Sequence, residues 1–198
     1  MGERTGITFI DSTRIPVCEN KRQSRNRVFK GYAQKGKSTM GWYYGFKLHL
    51  LCNERGELLN FALTRANVDG RNPKVFNDLT KDLFGKLYAD KGYISQSLFA
   101  SLFDRGVHIV TGIRTNMKNR LMDVHDKIML RKRSIIETIN DMLKNVAQIV
   151  HTRHRSISNF IVNLLAGIAA YAFYDTKPSI NMEFEREEKQ GVKQLTLF

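Results

Sequence analysis

Three acidic residues, Asp11, Asp90 and Glu137, stand where a carboxylate could do chemistry. Asp11 follows Ile7-Thr8-Phe9-Ile10 and Asp90 follows Lys86-Leu87-Tyr88-Ala89, and each run reads as a strand delivering a carboxylate at its C-terminal end. Glu137 lies in a segment with helical spacing. In-line cleavage of a phosphodiester calls for divalent ions that activate the nucleophile and stabilise the leaving oxygen, and carboxylates on strand ends and a helix can clamp such ions. Hard oxygen ligands select Mg2+ or Mn2+ over zinc. Three carboxylates crowded together repel one another when no cation is present. Spacing alone leaves convergence open, because Asp11 precedes Asp90 by 79 positions and Asp90 precedes Glu137 by 47. An aspartate after a strand also serves as a turn or capping residue.

Around Glu137, the residues Ile135, Ile136, Ile139, Leu143 and Val146 predict one apolar helix face, with Arg133, Glu137 and Lys144 on the other. The same polar trio also suits an ordinary exposed face, with Arg133 and Glu137 as an i,i+4 ion pair.

The elements that must position these groups follow from pattern. Trp42 to Cys52 and Leu58 to Thr64 predict an antiparallel hairpin through Asn53-Glu54-Arg55-Gly56. Phe46, Leu48 and Leu50 alternate with Lys47 and His49, as in a sheet with one packed face. Asn72 to Phe84 and Ser95 to Arg105 read as helices, Val107 to Thr111 as a strand, and Lys127 to Asn145 and Ser158 to Tyr174 as long helices. That order predicts an α/β fold with one mixed sheet over residues 1–178, and a polar C-terminal tail over 179–198.

Composition narrows the partner. A formal charge of +13, from 32 Lys and Arg against 19 Asp and Glu, favours a polyanion, because neutralised phosphates release condensed counterions. A basic structural protein would share that charge. Lys21, Arg22, Arg25, Arg27, Lys30, Lys35 and Lys37, interleaved with Gly31, Gly36 and Gly41, predict an exposed basic loop over 19–41, either touching DNA or simply solvated. His151-Thr152-Arg153-His154-Arg155-Ser156 reads as a phosphate contact or a buried polar turn. Cys18 and Cys52 suggest neither a disulfide framework nor a four-cysteine zinc site. No secretory leader opens the sequence, so a cytoplasmic, nucleoid-associated location is expected. Ile157 to Tyr174, interrupted by Asn159 and Asn163, is shorter than the roughly 20 residues of a membrane span and reads as a buried helix.

Ile10-Asp11-Ser12-Thr13, Tyr88-Ala89-Asp90-Lys91-Gly92-Tyr93, and Arg133 and Lys144 set three and six intervening residues from Glu137 resemble the acidic motifs of bacterial insertion-sequence transposases of the DDE superfamily. The resemblance spans residues 7 to about 174. It implies a ribonuclease H-like mixed sheet flanked by helices, with Asp11, Asp90 and Glu137 as catalytic residues and ligands of Mg2+ or Mn2+. Arg133 and Lys144 would contact double-stranded DNA or orient the glutamate, and the basic stretch from Lys21 to Lys37 would lie at the site entrance. The implied chemistry is hydrolysis at a transposon end followed by attack of the released 3′-hydroxyl on target DNA, in a DNA complex that could hold a homodimer. Leu130 stands where the broader family has a tyrosine. Asn67 and Asp69 also resemble a recurrent family segment, where Asp69 could approach the metal or stabilise a turn.

The first strand begins near the first residue, so this sequence resembles a catalytic fragment lacking the N-terminal end-recognition region. A non-catalytic DNA-binding remnant and a ribonuclease H-like nuclease that cuts without joining are the competing readings. Gln194-Leu195-Thr196-Leu197-Phe198 resembles the pentapeptide that docks on the bacterial sliding clamp, with Gln194, Leu195, Leu197 and Phe198 as the anchoring letters and the polar segment before it as a tether.

Overall fold

A computed structural model describes residues 1–113, 121–150 and 153–180. The chain runs β1 (Ile7–Cys18), a 3₁₀ turn (Asn20–Arg25), β2 (Gln34–Ser38), β3 (Gly41–Cys52), β4 (Leu58–Arg65), α1 (Pro73–Leu79), β5 (Gly85–Ala89), α2 (Gln96–Phe103), β6 (Val107–Thr111), α3 (Val124–Lys132), α4 (Ser134–Asn145) and α5 (Ile157–Ala172). These elements form the expected α/β architecture, a mixed sheet flanked by helices. β1 is central, antiparallel to β3 and parallel to β5, which is parallel to β6. The second edge of β3 is shared, with β2 along Gly41–Gly45 and β4 along Phe46–Cys52.

Two apolar clusters cover the two faces of the sheet. Phe9, Leu48, Leu50 and Tyr88 pack with Ile136, Ile139 and Leu143 of α4 and Phe160 and Leu164 of α5. Ile10, Leu51 and Leu87 pack with Phe76 and Leu79 of α1 and Leu98 and Leu102 of α2. β3 therefore has two packed faces rather than the single one its alternation predicts. His49 is fully buried with its Nε2 3.0 Å from Thr64 Oγ1, and Lys47 is half-buried with its Nζ donating to the Val68 carbonyl.

β1 does not end at Asp11. Thr13, Ile15 and Val17 are buried and continue the pairing with β3 as far as Cys18. The parallel pairing with β5, however, stops at Phe9 and Tyr88, so Asp11 still emerges at the end of the parallel half of the sheet. The expected basic loop over 19–41 is in part ordered: Asn20–Arg25 forms a 3₁₀ turn and Gln34–Ser38 becomes edge strand β2. Glycine at position 36 permits this, since a Cβ there would collide with the Ala66 carbonyl.

The long helix expected over 127–145 is two helices meeting at Arg133. Arg133 keeps right-handed helical angles, but the turn tightens to an Ile136 N–H bond to the Arg133 carbonyl at 3.1 Å. α3 starts earlier than expected because Asp123 accepts from the His125 N–H at its N-terminus. On α4 the buried residues are Ile135, Ile136, Ile139, Asn140 and Leu143, while Val146 is 63% exposed. α5 is packed on one side only, leaving Val162 and Leu165 outside, Phe173 just after it is exposed too, and no helix among the described residues is long and apolar enough to cross a membrane. Beyond Pro178, the Ile180 N–H donates to the Glu54 carbonyl at 2.8 Å. Gln194, Leu195, Leu197 and Phe198 lie outside the described residues, as do His151 and Thr152.

Candidate active site

Asp11 and Asp90 meet through strand register. In the parallel pair, Ile7 aligns with Lys86 and Phe9 with Tyr88, the same 79-residue offset that separates Asp11 from Asp90. Side chains two residues apart share a strand face, so both carboxylates continue the face on which the Phe9 and Tyr88 rings stack at 5.4 Å. α4 crosses that face, and Glu137 on its first turn lines the same cavity of about 480 Å³ as Asp11 and Asp90.

Around these carboxylates stand Arg14, Lys37, Lys47, Arg71 and Arg133. Arg133 bonds Glu137 Oε1 at 2.9 Å. Asp69 also lines the cavity and closes a turn, accepting the Arg71 backbone N–H and both ends of its guanidinium fork at 3.1 and 2.7 Å. Those hydrogen bonds hold its carboxyl at about 2. Buried Tyr93 closes the cavity near Ser12, its phenol pushed up by burial. From beneath, the buried Asn140 amide donates to Asp11 Oδ2 at 3.0 Å.

Burial is the main cause that raises the Asp11 carboxyl above its ordinary range. The Ser12 N–H and Arg133 oppose that shift, while the charges of Glu137 and Asp90 reinforce it. The Asp11 carboxyl thus feels the charges of both other acidic residues. Among the described residues, no three His, Cys, Asp or Glu side chains stand close enough to ligate one ion, and Glu137 is engaged by Arg133. The donor set itself, oxygen-only and flanked by cations suited to phosphate, fits a hard divalent ion rather than zinc.

Of the basic residues singled out in the sequence, Lys37 and Arg133 line the cavity. Lys144 lies outside it, half-buried, its ammonium pushed down by burial and held up by Asp141 and Asp11. Lys21, Arg22, Arg25, Arg27 and Lys30 are exposed on or after the 3₁₀ turn, away from the cavity, with Lys21 paired to Glu19 at 3.0 Å. Arg14, Lys47, Arg71 and Asn140 escaped the sequence reading. Arg14 and Arg71 follow motif residues Asp11 and Asp69 closely, a signal that could have found them, whereas Asn140 looks like part of the α4 core stripe. Leu130 packs half-buried against the core, and His154 packs edge-on against Phe29 and Phe160.

Two parallel strands and α4 thus bring acidic residues to one cavity inside a basic rim. The sequence matches the transposase DDE-domain family over residues 1–157, and the chain belongs to that family. Its fold is similar to that of piggyBac transposase, solved by cryo-EM in a synaptic complex with hairpin DNA, at 12% identity and a TM-score of 0.57. That similarity covers 86% of this chain and 46% of the other, so the chain spans about half the length of that transposase. No curated protein matches the sequence.

Proposed function

We propose that this chain is a metal-dependent transposase catalytic domain that hydrolyses a phosphodiester of double-stranded DNA and joins the released 3′ end to a second DNA, the 3′-hydroxyl attacking a target phosphodiester whose own 3′-oxygen leaves. The observation that carries the reading is the shared cavity, in which register aligns Asp11 with Asp90 and α4 adds Glu137 inside a rim of five cationic side chains. Family membership and the DNA complex of the piggyBac relative support a DNA substrate. Asp11 and Asp90 would hold Mg2+ or Mn2+, and Glu137, which does not stand within reach of one ion with them in this structure, would complete the ligand set on moving toward it. Such ions, when bound, activate the attacking oxygen and stabilise the leaving one. Arg133 orients Glu137 through its 2.9 Å bond and brings a planar fork suited to a phosphate. Lys37, Lys47, Arg14 and Arg71 contact flanking phosphates from the cavity wall, and Asn140 holds one oxygen of Asp11 in place.

The test is nicking of supercoiled plasmid by the 198-residue chain in Mg2+ or Mn2+, together with joining of a pre-cut 3′-hydroxyl end. Both activities are expected, and both should vanish in D90N. Nicking without joining would make the protein a nuclease, and DNA binding without either would make it a non-catalytic DNA-binding domain.

A further inference from the structure

Trp42 is the one tryptophan of the sequence, and it stands 54% exposed at the start of β3, outside both apolar clusters. Its cross-strand partner on β2 is Lys37, whose Nζ is 5.9 Å from the indole centroid. Lys35, two residues earlier on the same strand face, brings its Nζ to 5.2 Å. The Asn20 amide anchors the Trp42 carbonyl at 2.6 Å, and close packing at Gly36 holds β2 against the end of β4. Lys37 also lines the carboxylate cavity, so the indole lies one side chain away from the site.

We propose that Trp42, with Lys35 and Lys37, is a stacking platform for an unpaired nucleotide of the DNA strand entering the cavity. The proposal rests on the DNA-substrate reading above. Exposed cation–π contacts are weak and therefore exchangeable. A phosphate draws the lysine ammonium groups from the ring, and a base takes the uncovered indole face. Bases inside a duplex are already stacked, so the platform favours DNA with an unpaired end or flank. An exposed indole flanked by two lysines suits a nucleotide, whose base stacks on the ring while its phosphate takes the ammonium groups.

Three synthetic DNAs distinguish the outcomes: a duplex with a short single-stranded thymine flank, the same duplex blunt, and the same flank built of abasic sites. The emission of Trp42 reports the platform directly. The thymine flank should quench it, and the abasic flank should not. By anisotropy of labelled DNA, W42A should bind the thymine-flanked duplex about tenfold more weakly and the blunt duplex within about twofold of wild type, while W42F keeps most of the affinity. Equal emission on thymine and abasic flanks, with unchanged W42A affinity, overturns the platform while leaving the DNA reading intact. Failure of the wild type to bind any of the three overturns both. Were W42A to lose blunt-duplex binding as well, the wild-type emission comparison decides alone.

Discussion

Asp11 shows how a single residue carries the tension of the site. Its carboxyl is raised by burial and by the charges of Glu137 and Asp90, so the ionised form is disfavoured in the metal-free fold. Asparagine keeps an oxygen able to accept from Asn140 and removes the charge. D11N should therefore melt about 2–4 °C higher than wild type without divalent ions, the shift expected for roughly 1 kcal/mol in a domain of this size. Mn2+ should raise the wild-type melting point and leave D11N unmoved, because an ion that binds only the folded state stabilises it. A D11N melting point below wild type would contradict the repulsion. His49 gives a second residue-scale expectation. Burial, aided by Lys47, holds its imidazole down to about 4. Its unfolded value near 6.5 means that the unfolded chain takes up a proton first as pH falls. Stability should thus be lost from about pH 6.5 down to about 4, by up to about 3 kcal/mol. Denaturant melts of H49Q across that window should show a flatter pH dependence than wild type.

At the scale of elements, the sequence made the strands legible because β-branched and aromatic runs end at turn residues. It also brought Asp11, Asp90 and Glu137 forward through the company each keeps. What pattern could not supply was pairing. The offset that aligns Asp11 with Asp90 exists only once β1 and β5 pair, and the two-sided burial of β3 depends on helices far along the chain. The basic stretch was legible as charge but not as position: Gly36 lets β2 join the sheet, which carries Lys37 to the cavity and leaves Arg22 and Arg25 on the 3₁₀ turn away from it. Binding should follow position rather than charge. K37Q/R71Q should weaken DNA binding and lower the salt slope by about 2, whereas R22Q/R25Q, removing the same charge, should lower it by less than about 1. Equal slopes for the two double variants, measured by anisotropy over a salt titration, would return the cavity rim to an ordinary solvated surface.

At the scale of the whole molecule, the described fold ends with Ile180 tied to Glu54, and eighteen further residues complete the sequence. We propose that the last five dock on a sliding clamp, which would bring the catalytic domain to DNA under replication. A labelled Glu187–Phe198 peptide should bind purified clamp in the micromolar range, roughly −8 kcal/mol. Replacing Leu197 and Phe198 with Ala should abolish the signal by removing the apolar anchor. No binding of peptide or intact protein up to about 1 mM would end the clamp assignment and leave the catalytic one standing.

The claim on which all of this depends is that Asp11, Asp90 and Glu137 act as one metal-binding constellation. Its most direct test is a crystal structure of the chain soaked in Mn2+, read by anomalous scattering. The expected result is a peak inside the cavity within coordination distance, roughly 2.0–2.4 Å, of carboxylate oxygens from Asp11 and Asp90, absent from D90N crystals soaked alike. A cavity without anomalous signal under saturating Mn2+, or manganese held by other side chains with Asp11 and Asp90 unliganded, would contradict it.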